Sequence, residues 1–592
     1  MSRSGVRIPS SAVCSFSSTS ATNYVIQPMA SLLSKERIVR GPEFNRWLVV
    51  PPSVAVHLCI GSVYAWSIYN PALIEVLGVA TSSADDWTLR QVVWIFSVAI
   101  AFTGLTAAFA GKWVEKVGPR MVCVMAACFW GGGYILSSLG VTLHQLWLIY
   151  LGYGVIGGIG LGFGYVSPVS NLIRWFPDRR GLAAGMAIMG FGGGAMIAVP
   201  LKEFFLQYFY KAPQYLGTVD AVDMITHSGR RFVEVGGQLK EVVVAGAAEA
   251  IHVLAPGTEA AGVYVVGTGS SGVAQTFLFF GVVYFLVIMV SAFLYRVPVP
   301  GYKPQGWEPP AGGDSSKRMI SQKDVHMDQA LKTPQFYQVW VILCLNVTAG
   351  IGIISVAKTM MTEIFSNSLP DIVDVTFAAT YVLMIGMFNM LGRIMWASAS
   401  DKLGRRNTCS IFCAVGFLLY LSIPVAAHQV NLNPSIFWLL MFYAATMIIF
   451  TFYGGVFATV PAYLADLFGT RYVGGVYGRL LTAWSVAGVL GPLAVTSLRD
   501  RSLMVEINRL AETVSPQQFV KTFGAGVNDL EILVQNKTVT LAKLMDIAPE
   551  GTVDPTASLY NSTMYVMAAL LVIALISNLL IKPVHEKHHI KD

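Results

Sequence analysis

Charge is scarce in this chain. Only 12% of its 592 residues are Asp, Glu, Lys or Arg, against roughly a quarter in a soluble domain, and the mean hydropathy is +0.59. The deficit falls in repeated apolar runs separated by short basic or turn-rich stretches, the pattern of a chain that crosses a bilayer many times. That pattern excludes a soluble enzyme and a nucleic-acid binder. The net charge of +7 collects in alternate loops and so reports membrane orientation. Seven cysteines occur: Cys14, Cys59, Cys123, Cys128, Cys344, Cys409 and Cys413. Neither long polar loop contains one, which excludes a disulfide framework there, and no spacing suits zinc or haem. No metal and no cofactor is expected. Acids are missing before Glu36, while Arg3, Arg7 and many serines are present. Such a start resembles a mitochondrial or plastid transit peptide; a disordered cytosolic tail is the simpler reading, and Met29 offers an alternative start.

Twelve apolar runs are present, near 47–71, 92–111, 120–140, 145–172, 181–201 and 274–295, then 335–357, 375–399, 407–427, 435–463, 473–497 and 561–581. Each is long enough to cross a hydrocarbon core of about 30 Å as a helix. The fold class expected is therefore an all-α polytopic membrane protein with twelve transmembrane helices in two six-helix pseudo-repeats. A polar tail (1–45) precedes the first bundle (46–201 and 274–295). A central loop (296–334) precedes the second bundle (335–497 and 561–581), and a short tail (582–592) ends the chain. Two long loops, 202–273 and 498–560, break the rhythm. Their apolar β-branched stretches, Glu241–Val244 and Val263–Val266, predict partial folding. Lys112, Lys116, Arg120, Arg174, Arg179, Arg180, Lys402, Arg405, Arg406 and Arg471 lie in alternate short loops. Positive loops face the cytosol, so both termini are expected there and both long loops outside. The plasma membrane is the first expectation, a mitochondrial or plastid membrane the second. Asn536-Lys-Thr is a glycosylation sequon if the chain enters the secretory pathway.

The halves share a loop. Gly111-Lys-Trp-Val-Glu115-Lys-Val-Gly118-Pro-Arg120 follows the second run, and Ala397-Ser-Ala-Ser-Asp401-Lys-Leu-Gly404-Arg-Arg406 follows the eighth. Both place an acid three residues before a glycine and a base after it. An acid there can cap or pair across a helix end, so Glu115, Asp401 and Arg406, with Asp466 at the end of run ten, are the expected conformational gates. Gly152-Tyr-Gly154-Val-Ile-Gly157 matches a dinucleotide fingerprint by letter, but it lies inside an apolar run with no βαβ unit around it. Those glycines, and the cluster Gly185 to Gly194, read as helix packing. Pro168 and Pro461 permit kinks in matching helices.

One charge interrupts an apolar run: Arg393, alone between Thr376 and Ala399. It lies eight residues before Asp401, about 12 Å along a helix. A guanidinium keeps its proton at physiological pH, and a cation inside a membrane usually faces a cavity and meets an anion. The corresponding residue of the first half is Ala107, so the charge is no part of the repeated scaffold, and no acid is expected well inside any span. Arg393 therefore points to a carrier of small anions. Arg479 pairs with Asp466 or faces a vestibule on this reading. His57 is the other deeply placed titratable group and the candidate for a coupling proton. Tyr64, Trp66, Tyr165, Tyr453, Phe457 and Trp484 can wall a pocket in which a cation attracts a carboxylate more strongly than in water. Tyr64 and Trp484 lie furthest from the interfaces.

These residues sit in strings that together resemble the oxalate/formate antiporter family of the major facilitator superfamily. The strings are Asn45-Arg-Trp, His57-Leu-Cys-Ile-Gly-Ser-Val-Tyr-Ala-Trp-Ser67, Gly160-Leu-Gly-Phe-Gly-Tyr-Val-Ser-Pro168, Arg174-Trp-Phe-Pro-Asp-Arg-Arg-Gly181, Asn389-Met-Leu-Gly-Arg393, Pro461-Ala-Tyr-Leu-Ala-Asp466 and Tyr477-Gly-Arg-Leu-Leu-Thr-Ala-Trp484. The resemblance implies two rocking bundles around a central site. It also implies an arginine on helix eight and a lysine on helix eleven that clamp two carboxylates. Arg393 matches the arginine; Trp484 stands where the lysine belongs. A monocarboxylate such as pyruvate, lactate, formate or acetate fits that replacement better than oxalate, which stays the alternative. The expected substrate-binding set is Arg393, Tyr64, Trp484, Tyr453 and Tyr165. The expected partners are a small carboxylate, a co- or counter-transported anion or proton, and the lipid bilayer. A sensor that keeps the fold without transport is the rival of another class.

Overall fold

The computed structural model describes residues 32–178, 180–246, 261–300, 302–304, 324–469 and 472–590. Most of the N-terminal tail and central loop, and Arg179 and Arg471, lie outside those residues. Twelve helices are long and apolar enough to cross a membrane. In the first bundle these are α1 (Arg46–Ile74), α2 (Leu89–Val117), α3 (Pro119–Thr142), α4 (Leu146–Trp175), α5 (Arg180–Phe209) and α6 (Val273–Leu294). In the second they are α7 (Pro334–Phe365), α8 (Val375–Leu403), α9 (Arg405–Leu432), α10 (Ile436–Phe468), α11 (Val473–Thr513) and α12 (Asn561–Leu579). The protein is a polytopic helical membrane protein.

Local chemistry explains where the helices begin and end. Thr88 and Gln91 form a reciprocal capping box at the start of α2, and the Asp374 side chain accepts from the Phe377 N–H at the start of α8. Both satisfy donors that a helix start leaves open. The glycine of the repeated loop has a shared task. Gly118 (φ +88°) and Gly404 (φ +84°) each end one helix and begin the next, in a backbone region that a side chain disfavours.

α3 packs on α6, α7 on α11 and α8 on α10, while α2 meets α11 and α5 meets α8 across the two bundles. Glycine permits the close approaches. A Cβ on Gly194 would lie 2.6 Å from the Leu58 oxygen of α1, and one on Gly160 would lie 2.4 Å from the Trp130 nitrogen of α3. Glycines 152 to 164 are helical, and no strand flanks them. They are packing glycines.

Three helices outrun their apolar stretches. α5 continues to Phe209, α7 to Phe365 and α11 to Thr513. Lys202, Glu203, Lys358, Glu363 and Arg499 therefore lie within helices, which corrects the expectation that no acid sits inside a span. Pairing makes this tolerable: Glu203 meets Lys358 at 2.5 Å, and Glu363 binds Arg499 and the Tyr560 hydroxyl. A paired charge inside a helix costs far less than a lone one.

The described residues of both long loops are folded and share one face, here the loop face; the opposite, terminal face carries the first and last described residues. The strands β1 (Val39–Arg40) and β7 (Val297–Pro298) pair in parallel on the terminal face. On the loop face, β2 (Tyr215–Gly217), β3 (Ile225–His227), β4 (Arg230–Val235), β5 (Gln238–Ala245) and β6 (Gly262–Val265) form an antiparallel sheet of order β2-β6-β5-β4-β3. Its apolar side gathers Val233, Val242, Val263 and Val265. The second loop is helical, with short helices at Pro516–Phe523, Leu530–Gln535 and Leu541–Met545.

The loops clasp each other. Arg231 donates to the Thr522 carbonyl at 2.5 Å, Asn536 Nδ2 to the Ser228 carbonyl at 2.8 Å, and Thr538 Oγ1 to the Gly229 carbonyl. Lys537 Nζ reaches the Asp86 carbonyl at 2.5 Å. One cap thus joins both bundles, and the sequon's Asn536 amide is engaged in it. The double variant Arg231→Ala/Thr538→Val removes two of these bonds, about 1 kcal/mol each. It should speed limited proteolysis of both loops several-fold. An unchanged cleavage rate would show that other contacts hold the cap.

Candidate functional site

The bundles meet around Arg393. Arg393 is 3% exposed. Nε donates to Asn389 Oδ1 at 3.2 Å and Nη1 to the Ile188 carbonyl of α5 at 3.2 Å. The guanidinium carbon stands 5.3 Å from the Phe457 ring centre and 5.9 Å from that of Phe191. Among the described residues no carboxylate lies within ion-pairing distance of it, so a buried cation is held by neutral groups alone. Gly192 makes room: a Cβ there would lie 3.1 Å from the Arg393 Nε.

Aromatic rings complete a box. Tyr64 (α1), Tyr165 (α4) and Phe191 (α5) come from the first bundle, and Tyr453, Phe457 (α10) and Trp484 (α11) from the second. Tyr64 meets Phe191 at 5.1 Å and Tyr453 at 5.9 Å between ring centres. Trp484 meets Phe457, Tyr165 and Phe191 at 5.2, 5.5 and 5.6 Å. The Tyr453 hydroxyl donates to that of Tyr64 at 3.1 Å, a direct side-chain bond between bundles. None of the six is more than 3% exposed. Several polar atoms near this box have no hydrogen-bond partner within the protein: Tyr165 OH, Trp484 Nε1, Asn389 Nδ2, Tyr477 OH and His57 Nε2. Buried polar atoms left without partners are costly, and these, four of them able to donate, accompany a cation without an anion.

The five residues expected to bind substrate are thus brought together. Trp66 is not among them; it packs inside the first bundle on Tyr69 and Tyr153. Phe191 was missed by sequence reasoning. Its signal was available, since it is the one bulky residue in Gly190-Phe-Gly-Gly-Gly194. His57 is buried beside Tyr165 and Phe191, at 5.7 and 6.4 Å. Its Nδ1 lies 3.1 Å from the Ser53 carbonyl, which assigns the ring proton to Nδ1 in the neutral form and leaves Nε2 as a lone pair.

The residues expected to act as gates lie apart from the box. Arg405 contacts Ser400, Asp401 and Asp466, the last at 3.7 Å, and Arg406 donates to the Leu579 carbonyl. The first half has Pro119 at the position of Arg405, so this cluster belongs to one half only. The Glu115 side chain is exposed, and its backbone carbonyl accepts from Lys35 Nζ at 2.8 Å. Arg479 faces Asp328 at 3.3 Å.

Comparison with known proteins gives the family and the fold. The family model described as Major Facilitator Superfamily matches residues 58–219 and 257–492. The oxalate:formate antiporter of Oxalobacter formigenes is 24% identical over 456 residues, covering 76% of this chain and 83% of its own. Apicoplast pyruvate carrier 1 of Toxoplasma gondii is 23% identical over 488 residues, covering 73% and 80%. In fold, the chain is similar to a bacterial homologue of the human lysosomal transporter Spinster in an inward-facing, unoccupied conformation. That likeness has a TM-score of 0.55 at 14% identity over 90% of this chain and 96% of the other.

Proposed function

Since the chain belongs to the Major Facilitator Superfamily and is an integral multi-pass membrane transporter, we propose that its cargo is a small monocarboxylate of the pyruvate, lactate, formate and acetate class, moved by alternating access. The observation that carries this reading is the lone Arg393 cation in a box of rings. One guanidinium offers two parallel donors to one carboxylate, and the rings would pack on a short apolar remainder. A dicarboxylate asks for a second cation. Among the described residues the other buried cations of the spans are engaged elsewhere: Lys358 with Glu203, Arg499 with Glu363, and Lys202 and Arg120 with backbone carbonyls. The names of two relatives, an oxalate:formate antiporter and a pyruvate carrier, support a small carboxylate as cargo. The test is radiolabelled uptake into vesicles of purified protein. Pyruvate, lactate and formate should enter and oxalate should not; uptake of oxalate alone would overturn the assignment.

An unloaded carrier would leave the Arg393 charge uncompensated during the return step, which favours exchange over empty return. For a proton taken up together with the anion, we assign the His57 Nε2 lone pair as the acceptor. His57→Gln should keep anion exchange and lose the stimulation of uptake by an acid gradient. Full stimulation in that variant would remove His57 from the mechanism. Asp401 and Asp466, around the Arg405 hub, together with Arg406 and Glu115, are assigned to holding the terminal face closed in one state. By the excess of Lys and Arg in its short loops that face is cytosolic, with the cap outside.

A further inference from the structure

α1 is broken where it meets the site. Residues Ser62–Tyr69 form a tighter 3-10 stretch, and Ala65 leaves helical geometry at φ −93°, ψ 27°. Tyr64 sits in that break. Broken helices recur at transporter binding sites because they free backbone groups there, but a break needs something to hold its shape.

Lys202 of α5 supplies that hold. Its side chain is fully buried. Nζ donates to the Ser62 carbonyl at 2.9 Å and the Ala65 carbonyl at 3.2 Å, and stands 4.4 Å from the Tyr69 ring centre. These two carbonyls bracket Tyr64. A packing role would be filled at far lower cost by Met or Leu, since burying an ammonium on neutral acceptors is expensive. The neighbouring Glu203 turns away, to Lys358 of α7 in the other bundle. One turn before Lys358, the Ser355 carbonyl accepts from Asn70 Nδ2 at 2.9 Å, and Asn70 follows the broken stretch directly. Consecutive residues of α5 therefore grip α1 and the opposite bundle, on the loop-face side of the site.

We propose that Lys202 is a positioning residue that fixes the α1 break and thereby aims the Tyr64 hydroxyl into the site, and that the Glu203–Lys358 bridge ties this grip to closure of the loop face. When the bundles part at the loop face, Glu203 leaves Lys358, Asn70 leaves Ser355, and the turn of α5 that carries Lys202 is released. Tyr64 then loses its fixed place, so affinity falls as the gate opens.

Its role in affinity rests on the anion-carrier reading; its grip on Tyr64 does not, and the experiment separates the two. With whichever anion of the panel the wild type takes up, Lys202→Met should raise KM about tenfold with little change in maximal rate, as expected when a contact is misplaced. Tyr64→Phe should do the same, the double variant should be no worse than either alone, and Lys202→Arg should restore most of the affinity. Additive effects in the cycle, or an unchanged KM, would overturn the proposal. The substrate-independent arm labels Tyr64→Cys with N-ethylmaleimide in the full-length purified protein, read at position 64 by mass spectrometry. Adding Lys202→Met should speed labelling about tenfold, as a loosened segment would, whereas an unchanged rate would overturn the positioning role even where no anion is transported. Glu203→Gln, which keeps Lys202, should alter maximal rate and leave KM in place; a raised KM would contradict the division of labour. Should the Lys202→Met protein fail to reach the membrane, Lys202→Gln, able to serve one carbonyl, takes its place in both arms with the same expected directions.

Discussion

Arg393→Ala should abolish anion uptake while the protein still reaches the membrane. Removing one partner of a buried charge pair costs about 3–5 kcal/mol, which is a loss of roughly a hundredfold or more in affinity. The folded protein should tolerate the change, because in the absence of an anion the guanidinium has no acid to pair with and only Asn389, the Ile188 carbonyl and two ring faces around it. Arg393→Lys should recover little. A lysine keeps the charge but offers a point donor in place of a planar fork, and it is too short to serve Ile188 and a carboxylate together. Uptake and melting temperature need to be measured side by side. Lost uptake with preserved melting supports an anion seat, while a parallel loss of both would make Arg393 structural.

Trp484→Lys should turn the selectivity of the site. The indole is fully buried against Tyr165, Phe191 and Phe457, and the last two also face Arg393. An ammonium in its place would put a second cation in the box. Two like charges repel when the site is empty and are both satisfied by oxalate. A single carboxylate leaves one of them unpaired. The ratio of oxalate to pyruvate uptake should therefore rise by about a hundredfold, near 3 kcal/mol of differential binding. Unchanged selectivity would mean that the indole is core packing and that the cargo lies elsewhere.

Much of this site was legible in the sequence because membranes make charge informative. Arg393 stands out in an apolar run for the same physical reason that it matters, the cost of burying a cation. Tyr64 and Trp484 could be named from their depth in the runs, and Tyr165 and Tyr453 as aromatics within them. Their convergence could not, since it depends on how two bundles meet: Tyr453 reaches Tyr64 across 389 positions of sequence. Phe191 was hidden because glycine-rich helix reads as packing, and most of that helix is packing. Lys202, Glu203 and Lys358 were hidden for a different reason. Hydropathy ends a span at its first charges, whereas the helix ends only when its hydrogen bonds do, so an ion pair 155 positions apart looks like two loop residues. The sheet on the loop face was foreshadowed by its β-branched stretches, and its docking on the second loop was not, because Arg231, Thr538 and Asn536 act on backbone carbonyls that no sequence pattern marks.

The most direct test is equilibrium binding of radiolabelled pyruvate to the purified protein and to Arg393→Gln, with unlabelled pyruvate and its uncharged methyl ester as competitors. Saturable binding that pyruvate displaces, that the ester fails to displace, and that vanishes in Arg393→Gln is the predicted result. Equal displacement by the ester, or full affinity in Arg393→Gln, would contradict it.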